Sequence, residues 1–247
     1  MTAEDRPVAF VTGAARRIGA VIARVLHAAG YDVALHCRHS RAELDALIAE
    51  LESARPHSTL ALEAELAEVE SLPGLIAATI ARFGRLDALV NNASAFYLTP
   101  LDTLTPQQWD DLFAANARAP VFLAQAAAPH LKAARGSIVN ITDIYAERPL
   151  PGYLAYGMSK AALRMATAAL AQALAPEVRV NAVAPGVILW PESGKDEAAR
   201  ALALEHIPLG RKGAPEDIAG TVLWLLRDAS YVTGQTLRVD GGRHLCV

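Results

Sequence analysis

The stretch Pro7-Val8-Ala9-Phe10-Val11-Thr12-Gly13-Ala14-Ala15-Arg16-Arg17-Ile18-Gly19 decides the fold. An unbroken apolar run stops at Thr12-Gly13. Ile18, Val21, Ile22, Val25 and Leu26 then recur at helical spacing as far as Gly30. A buried strand that turns at once into a helix is half of a strand–helix–strand unit, and the unit repeats down the chain. Strands are expected at 32–36, 59–63, 88–91, 137–141, 178–183 and Thr236–Val239. A helix is expected after the second strand through Leu51, and others at 71–83, 105–134, 153–174 and 216–225, the long one interrupted near Pro120. The strands are apolar on both faces rather than alternating, which is the mark of a parallel sheet covered by helices on both sides. No Ser/Gly/Pro-rich linker divides the chain and no repeat is seen. The reading is one doubly wound α/β domain over 1–247. Residues 189–213, punctuated by Pro and Gly and long for a connection, are a candidate substrate lid.

Composition removes several classes. With 53% hydrophobic and 20% charged residues, the chain is not disordered. A formal charge of −3 with no block of like charges argues against nucleic-acid binding. Apolar runs break well short of a membrane span. The start, Met1 to Phe10, is acidic and lacks the pattern of a signal peptide, so a cytoplasmic location is expected. Cys37 and Cys246 are then reduced thiols. The seven histidines show no metal-ligand spacing, so no metal is expected.

The turn after the first strand carries the first chemical signal. Gly13 permits a tight turn and Gly19 permits close packing of helix on strand. The amides at the helix start, around Arg17, Ile18 and Gly19, form a site for a pyrophosphate. Dinucleotide sites selective for NAD place an acid at the end of the second strand. This chain has Arg38-His39-Ser40 there, a set that binds a 2′-phosphate where an acid would repel it. The cofactor expected is NADP(H); the bland alternative is a solvated loop. Asn92-Ala93-Ser94, small residues beside an amide at the fourth strand's end, let a dinucleotide lie close to the backbone.

The second signal is Tyr156-Gly157-Met158-Ser159-Lys160, a phenol and an ammonium at i and i+4 on one helix face. A phenol near pKa ~10 is a poor acid–base catalyst at neutral pH, and a nearby Lys⁺ is expected to lower it. Asp143 stands 13 positions before Tyr156. An ionised carboxylate only accepts hydrogen bonds, so it suits a substrate with ring N–H groups better than a plain ketone. Phe96 offers a flat face for a planar heterocycle, and Arg17 a planar fork of donors. Each has a plainer reading: Phe96 as packing, Arg17 as a salt-bridged helix-start residue, Asp143 as a turn cap. Trp190 and Tyr153 either line the substrate site or pack the lid.

Thr12-Gly13…Gly19, Asn91-Asn92-Ala93, Asn116, Tyr156…Lys160 and Pro185-Gly186 stand in the order found in the short-chain dehydrogenase/reductase family, which the chain resembles over essentially its whole length. The resemblance implies a Rossmann-type sheet of seven strands with Tyr156 as proton donor. It implies Lys160 as the tyrosine's electrostatic partner and a ligand of the nicotinamide ribose, and Asn116 as anchor of a relay water. Gly13, Arg17, Ile18, Gly19, Asn92, Ala93, Ser94, Pro185 and Gly186 fall at its cofactor positions. Two departures, Arg17 for a usual glycine and Asp143 for a usual serine, match the pteridine reductase branch, as do Asn92 to Tyr97 and His39-Ser40. That resemblance implies a pterin against Phe96, with Arg17, Ser94, Asp143 and Tyr156 around it.

The expected function is NADPH-dependent reduction of a pteridine C=N bond, from dihydropterin to tetrahydropterin, and by extension of an oxidised pterin or a folate. The alternatives are a carbonyl reductase of the same fold and a non-catalytic NADP(H)-binding sensor. The helix around 161–170 is apolar around much of its circumference and the segment 113–128 is Ala-rich, so a homotetramer is expected.

Overall fold

The computed structural model describes residues 6–190 and 197–246. Strands β1 (Val8–Val11), β2 (Asp32–Cys37), β3 (Thr59–Glu63), β4 (Ala88–Asn91), β5 (Ser137–Ile141), β6 (Arg179–Pro185) and β7 (Thr236–Val239) form one parallel sheet in the order β3-β2-β1-β4-β5-β6-β7. Helices α1 (Arg17–Ala28), α2 (Arg41–Ala54), α3 (Leu72–Phe83), α4 (Pro106–Phe113), α5 (Ala119–Ala134), α6 (Leu154–Leu174), α7 (Glu197–Glu205) and α8 (Pro215–Arg227) connect them. No described helix is long and apolar enough to cross a membrane.

The two-sided apolar strands do what their composition requires. Ala9 and Val11 enter a core with Ile22 and Leu26 of α1 and Val222 and Leu225 of α8. Their neighbours Val8 and Phe10 enter the opposite core with Ile76, Leu123, Leu131 and Leu174. Strand order reverses between β1 and β4, so their connections leave to opposite sides and open a crevice at the strands' carboxyl ends. Thr12-Gly13, Arg38, Asn92, Asp143 and Gly186 all follow strand ends on that edge.

Three expectations are met or refined. The break in the long helix falls near Pro120 as expected, as a π-helical turn over Ala114–Arg118 between α4 and α5. Pro120 has no amide to offer the Asn116 carbonyl four residues back, and the widened turn absorbs the mismatch. Second, α4 begins later than 105, because Thr105 is its cap: Thr105 Oγ1 accepts from the Gln108 amide while Gln108 Oε1 accepts from the Thr105 amide. Third, the candidate lid is more than an irregular connection. It carries α7, and its return is fixed by the Leu209 amide donating to Gly241 O and the Gly213 amide to Val187 O. Part of the expected lid, 191–196, lies outside the described residues, as do 1–5.

Candidate active site

At the cofactor end, two loops are laced together. Thr12 Oγ1 accepts from the amides of Asn92 and Ala93, each at 3.0 Å. Asn92 Nδ2 donates to the carbonyls of Thr12 and Gly13 at 2.9 and 3.0 Å. Gly13 has φ of +62°, and a Cβ on it would lie 2.9 Å from Ala93 Cα. A Cβ on Gly19 would collide with the Gly13 carbonyl and with Asn92 Nδ2. Both glycines are therefore required by contact, as the sequence suggested. Arg17, the first residue of α1, has φ of +53°, a left-handed conformation that a glycine adopts without strain.

Arg38 follows β2 and sits 3.3 Å from Glu65, the acid beyond β3. Ser40 occupies the N-cap position of α2 without capping it through its side chain, directly after Arg38 and His39. Pro185 ends β6, and a Cβ on Gly186 would press within 2.6 Å of Asp240 Cβ. Ser94 is exposed, with its hydroxyl on the Ala95 carbonyl at 3.3 Å. Trp190 is half-buried, just ahead of residues outside the description.

At the catalytic end, Asp143 extends from β5 and both its oxygens are engaged. Oδ1 accepts from the Tyr145 amide at 2.9 Å and Oδ2 from the Tyr156 hydroxyl at 2.6 Å. Asp143 therefore caps the turn, as its plainer reading expects, and meets the Tyr156 hydroxyl with its other oxygen. Lys160, on the same face of α6, places Nζ 5.9 Å from the Tyr156 ring centre and donates to the Ile141 carbonyl at 2.9 Å. Asn116, fully buried in the π turn, clamps Ala95 through N–H and C=O and donates to Ser159 Oγ at 2.9 Å. Phe96 stacks on Tyr153 at 4.6 Å and meets Tyr156 edge-on at 4.7 Å, yet stays 48% exposed.

Burial governs the charges. It pushes the Tyr156 phenol well above its ordinary value, and the Asp143 carboxylate adds to the effect. It also raises Asp143, against the Tyr145 amide, the Tyr156 hydroxyl and Lys160. It lowers Lys160 to about 8, against the pull of Asp143. The expectation that Lys160 lowers Tyr156 is thus overturned for the chain on its own. The ammonium stands off the ring, while the carboxylate accepts the phenol's hydrogen bond at contact distance and favours the neutral phenol.

Sequence reading missed four supporting residues. Thr12 laces the loops, Ser159 holds Asn116, Glu65 shares Arg38, and His36 accepts the Gly13 amide through Nδ1 at 3.2 Å. Only His36 left a signal: a polar residue after the apolar run Val33-Ala34-Leu35 of a buried strand.

A reversed-order parallel sheet with a glycine-lined helix start at one end of its crevice and a buried Tyr–Lys pair at the other defines an oxidoreductase of the nucleotide-binding type. The family model described as enoyl-(acyl carrier protein) reductase matches residues 13–244. A putative ketoacyl reductase of granaticin polyketide synthesis from Streptomyces violaceoruber is 38% identical over 251 residues, covering 98% of each chain. Pteridine reductase 1 of Leishmania tarentolae is 36% identical over 288 residues, covering 99% of this chain and 98% of its own. A 3-oxoacyl-(acyl-carrier-protein) reductase of Staphylococcus aureus is 36% identical over 242 residues, covering 96% and 98%. The chain belongs to the short-chain dehydrogenase/reductase family.

The buried ammonium gives a pH test. Lowering Lys160 from 10.5 to about 8 corresponds to roughly 3 kcal/mol against folding while the group is charged. Because the folded value is the lower one, that cost is full below pH 8 and is relieved between about 8 and 10.5. Lys160→Met is expected to melt several degrees above the wild type at pH 7, with the gap closing above pH 8. Calorimetry across pH 7 to 10 checks this. A variant that melts lower at pH 7 would contradict it.

Proposed function

We propose that the protein is an NADPH-dependent reductase of a pteridine ring C=N bond. The observation that carries this reading is Asp143 Oδ2 at 2.6 Å from the Tyr156 hydroxyl. A carboxylate in that place only accepts, so it holds a substrate that presents ring N–H groups and does not assist a ketone oxygen as a hydroxyl does. The half-exposed Phe96 ring beside Tyr156 offers the flat surface a fused heterocycle needs. The reading also agrees with the name of the Leishmania relative.

The residues fit a nicotinamide dinucleotide. Gly13 and Gly19 let the turn after β1 and the start of α1 pack against Ala93 and Asn92, and the first amides of α1 have no acceptor within the helix, as an anion site requires. Gly13, Arg17, Ile18, Gly19, Asn92, Ala93, Ser94, Pro185 and Gly186 would line the dinucleotide, with Lys160 at its ribose. Arg38, His39 and Ser40 would take a 2′-phosphate, and Arg38 is held meanwhile by Glu65 at 3.3 Å. When bound, the cofactor supplies hydride to the substrate carbon. Tyr156 donates its proton to the substrate nitrogen. Asp143 holds the phenol and the substrate's N–H groups in register. Asn116 fixes Ala95 and so the start of the Phe96 loop.

A second reading, a carbonyl reductase, is favoured by the two full-length ketoacyl-type relatives. Loss of NADPH absorbance with dihydrobiopterin, with a ketone panel or with neither separates the two readings and the sensor alternative. Arg38→Ala is expected to weaken NADPH about tenfold and leave NADH nearly unchanged, since a charge-assisted bond contributes roughly 1.5–3 kcal/mol. Equal kcat/KM for NADPH and NADH in the wild type would overturn the cofactor assignment.

Asp143→Ala is expected to lower kcat on a dihydropterin by about 100-fold or more, with cofactor affinity little changed. It also loses the Tyr145 cap, so its melting temperature falls. Asp143→Ser separates the two effects. Its hydroxyl can still cap the turn, so stability stays near wild type while pterin turnover is lost and ketone turnover is gained. Undiminished pterin turnover in either variant would remove the chemical ground for a pterin.

We also propose a homotetramer. Leu154, Met158, Ala161, Met165 and Ala168 form an exposed apolar stripe down α6, and Phe122 of α5 is exposed as well. Such a stripe suits a two-fold contact between copies. Trp224, Tyr231 and Leu245 supply exposed apolar surface for a second contact. Light scattering at micromolar concentration is expected to give four times the chain mass; a monomer would refute this.

A further inference from the structure

We propose that His36 positions the dinucleotide-binding loop, acting as a neutral imidazole with its proton on Nε2, and that dinucleotide affinity falls when this ring is protonated or replaced. The inference rests on the dinucleotide reading above and extends it to a residue that touches no cofactor.

His36 is the last but one residue of β2, 1% exposed. Its Nδ1 lies 3.2 Å from the Gly13 amide and its Nε2 lies 3.1 Å from the Ala64 carbonyl. Its own carbonyl accepts from the Ala14 amide at 2.8 Å. An amide can only donate and a carbonyl can only accept. Nδ1 must therefore present a lone pair and Nε2 must carry hydrogen, which leaves one tautomer. The ring spans the gap between the turn after β1 and the exit of β3, on either side of the β2 end that carries Arg38. Residue 36 engages the amides of both Gly13 and Ala14, so the pyrophosphate is left to the amides that follow, at the start of α1.

The loop has little freedom to adjust. Gly13 is drawn toward His36 on one side and lies against Ala93 on the other, where even a Cβ has no room. Protonated Nδ1 would set N–H against N–H at this contact and push Gly13 toward Ala93. The charged group facing the ring from the β3 side is Glu65, which favours protonation and is itself held by Arg38 and the Ala67 amide. From the β1 side come Gly13 and Ala14, which carry no charge. The α2 side contributes Arg41 and Asp45, paired with each other at 2.8 Å, with Glu63 3.9 Å from Arg41; all three act on Cys37, the next residue along β2. Burial outweighs Glu65 and keeps the imidazole below its ordinary value, so the neutral form prevails at pH 7.

The test is calorimetric titration of the full chain with NAD⁺ and NADP⁺, which withstand acid. It runs from pH 8 downward over the range in which circular dichroism shows the native fold. NAD⁺ lacks the 2′-phosphate, whose own protonation would confuse the profile. Wild-type affinity for NAD⁺ is expected to fall about tenfold as pH drops through and below the ordinary histidine range. His36→Phe is expected to bind both nucleotides about tenfold more weakly at pH 7 and to show no such pH dependence. Arg38→Ala, in contrast, affects NADP⁺ alone. His36→Gln, which keeps one acceptor and one donor, is expected to recover part of the affinity without the pH dependence, and it stands in if His36→Phe fails to fold. A flat wild-type profile, or the same pH dependence in the variants, overturns the role of His36 and leaves the dinucleotide reading standing. A wild type that binds neither nucleotide overturns both.

Discussion

The close approach between the ends of β1 and β4 is the constraint on which the site depends. These two strands lie side by side, but their connections leave to opposite faces of the sheet. The crevice this opens would be a gap in the backbone hydrogen bonding if nothing bridged it. Thr12, Asn92 and Ala93 bridge it with side-chain bonds to backbone groups, and Gly13 and Gly19 remove the atoms that would hold the segments apart. Buried backbone groups find partners here without a strand ladder. The result is a rigid floor for a ligand made by elements about 80 residues apart in sequence.

Around that floor, burial rather than pairwise charge decides where protons sit. Asp143, Tyr156 and Lys160 lie within one small volume, and a reading by charge alone makes lysine the agent that activates tyrosine. Desolvation reverses part of this. Lys160 is lowered to about 8, and the phenol is held neutral, its hydroxyl donating to the carboxylate at 2.6 Å. A substrate or cofactor that entered would change the dielectric and the partners of all three groups together. The protonation of the triad therefore depends on what fills the crevice.

How legible this was from sequence depends on the range of the forces involved. The sheet and its helices were readable because two-sided apolar strands have only one stable environment. The glycines at 13 and 19 and the Tyr156–Lys160 pair were readable because local spacing defines them. The break near Pro120 was readable because proline leaves the carbonyl four residues back without its amide, although the π form of the turn was not. Helix α7 was unseen because its short Ala- and Leu-bearing stretch is surrounded by Pro and Gly. His36, Glu65 and Ser159 escaped because their meaning comes from partners 23 to 43 residues away, which no local pattern encodes.

Arg17 marks where local preference yields to the site. Among the described residues, three that are not glycine have left-handed φ: Arg17, His57 and Arg135. Arg135 stops α5, where that conformation is the ordinary way to end a helix. His57 lies in the turn between α2 and β3. Arg17 instead begins a helix, at the mouth of the crevice, where nothing about helix formation calls for a left-handed residue. A glycine there would remove roughly 1 kcal/mol of strain. The chain carries arginine, so the guanidinium and not the backbone is what that position supplies. Strain of this kind persists where surrounding structure enforces it, and such residues cluster at functional sites. The same reasoning applies to Lys160, whose burial opposes folding while its position on α6 serves Tyr156. Two unfavourable local choices at the two ends of one crevice are together a stronger pointer to a ligand than either motif is alone.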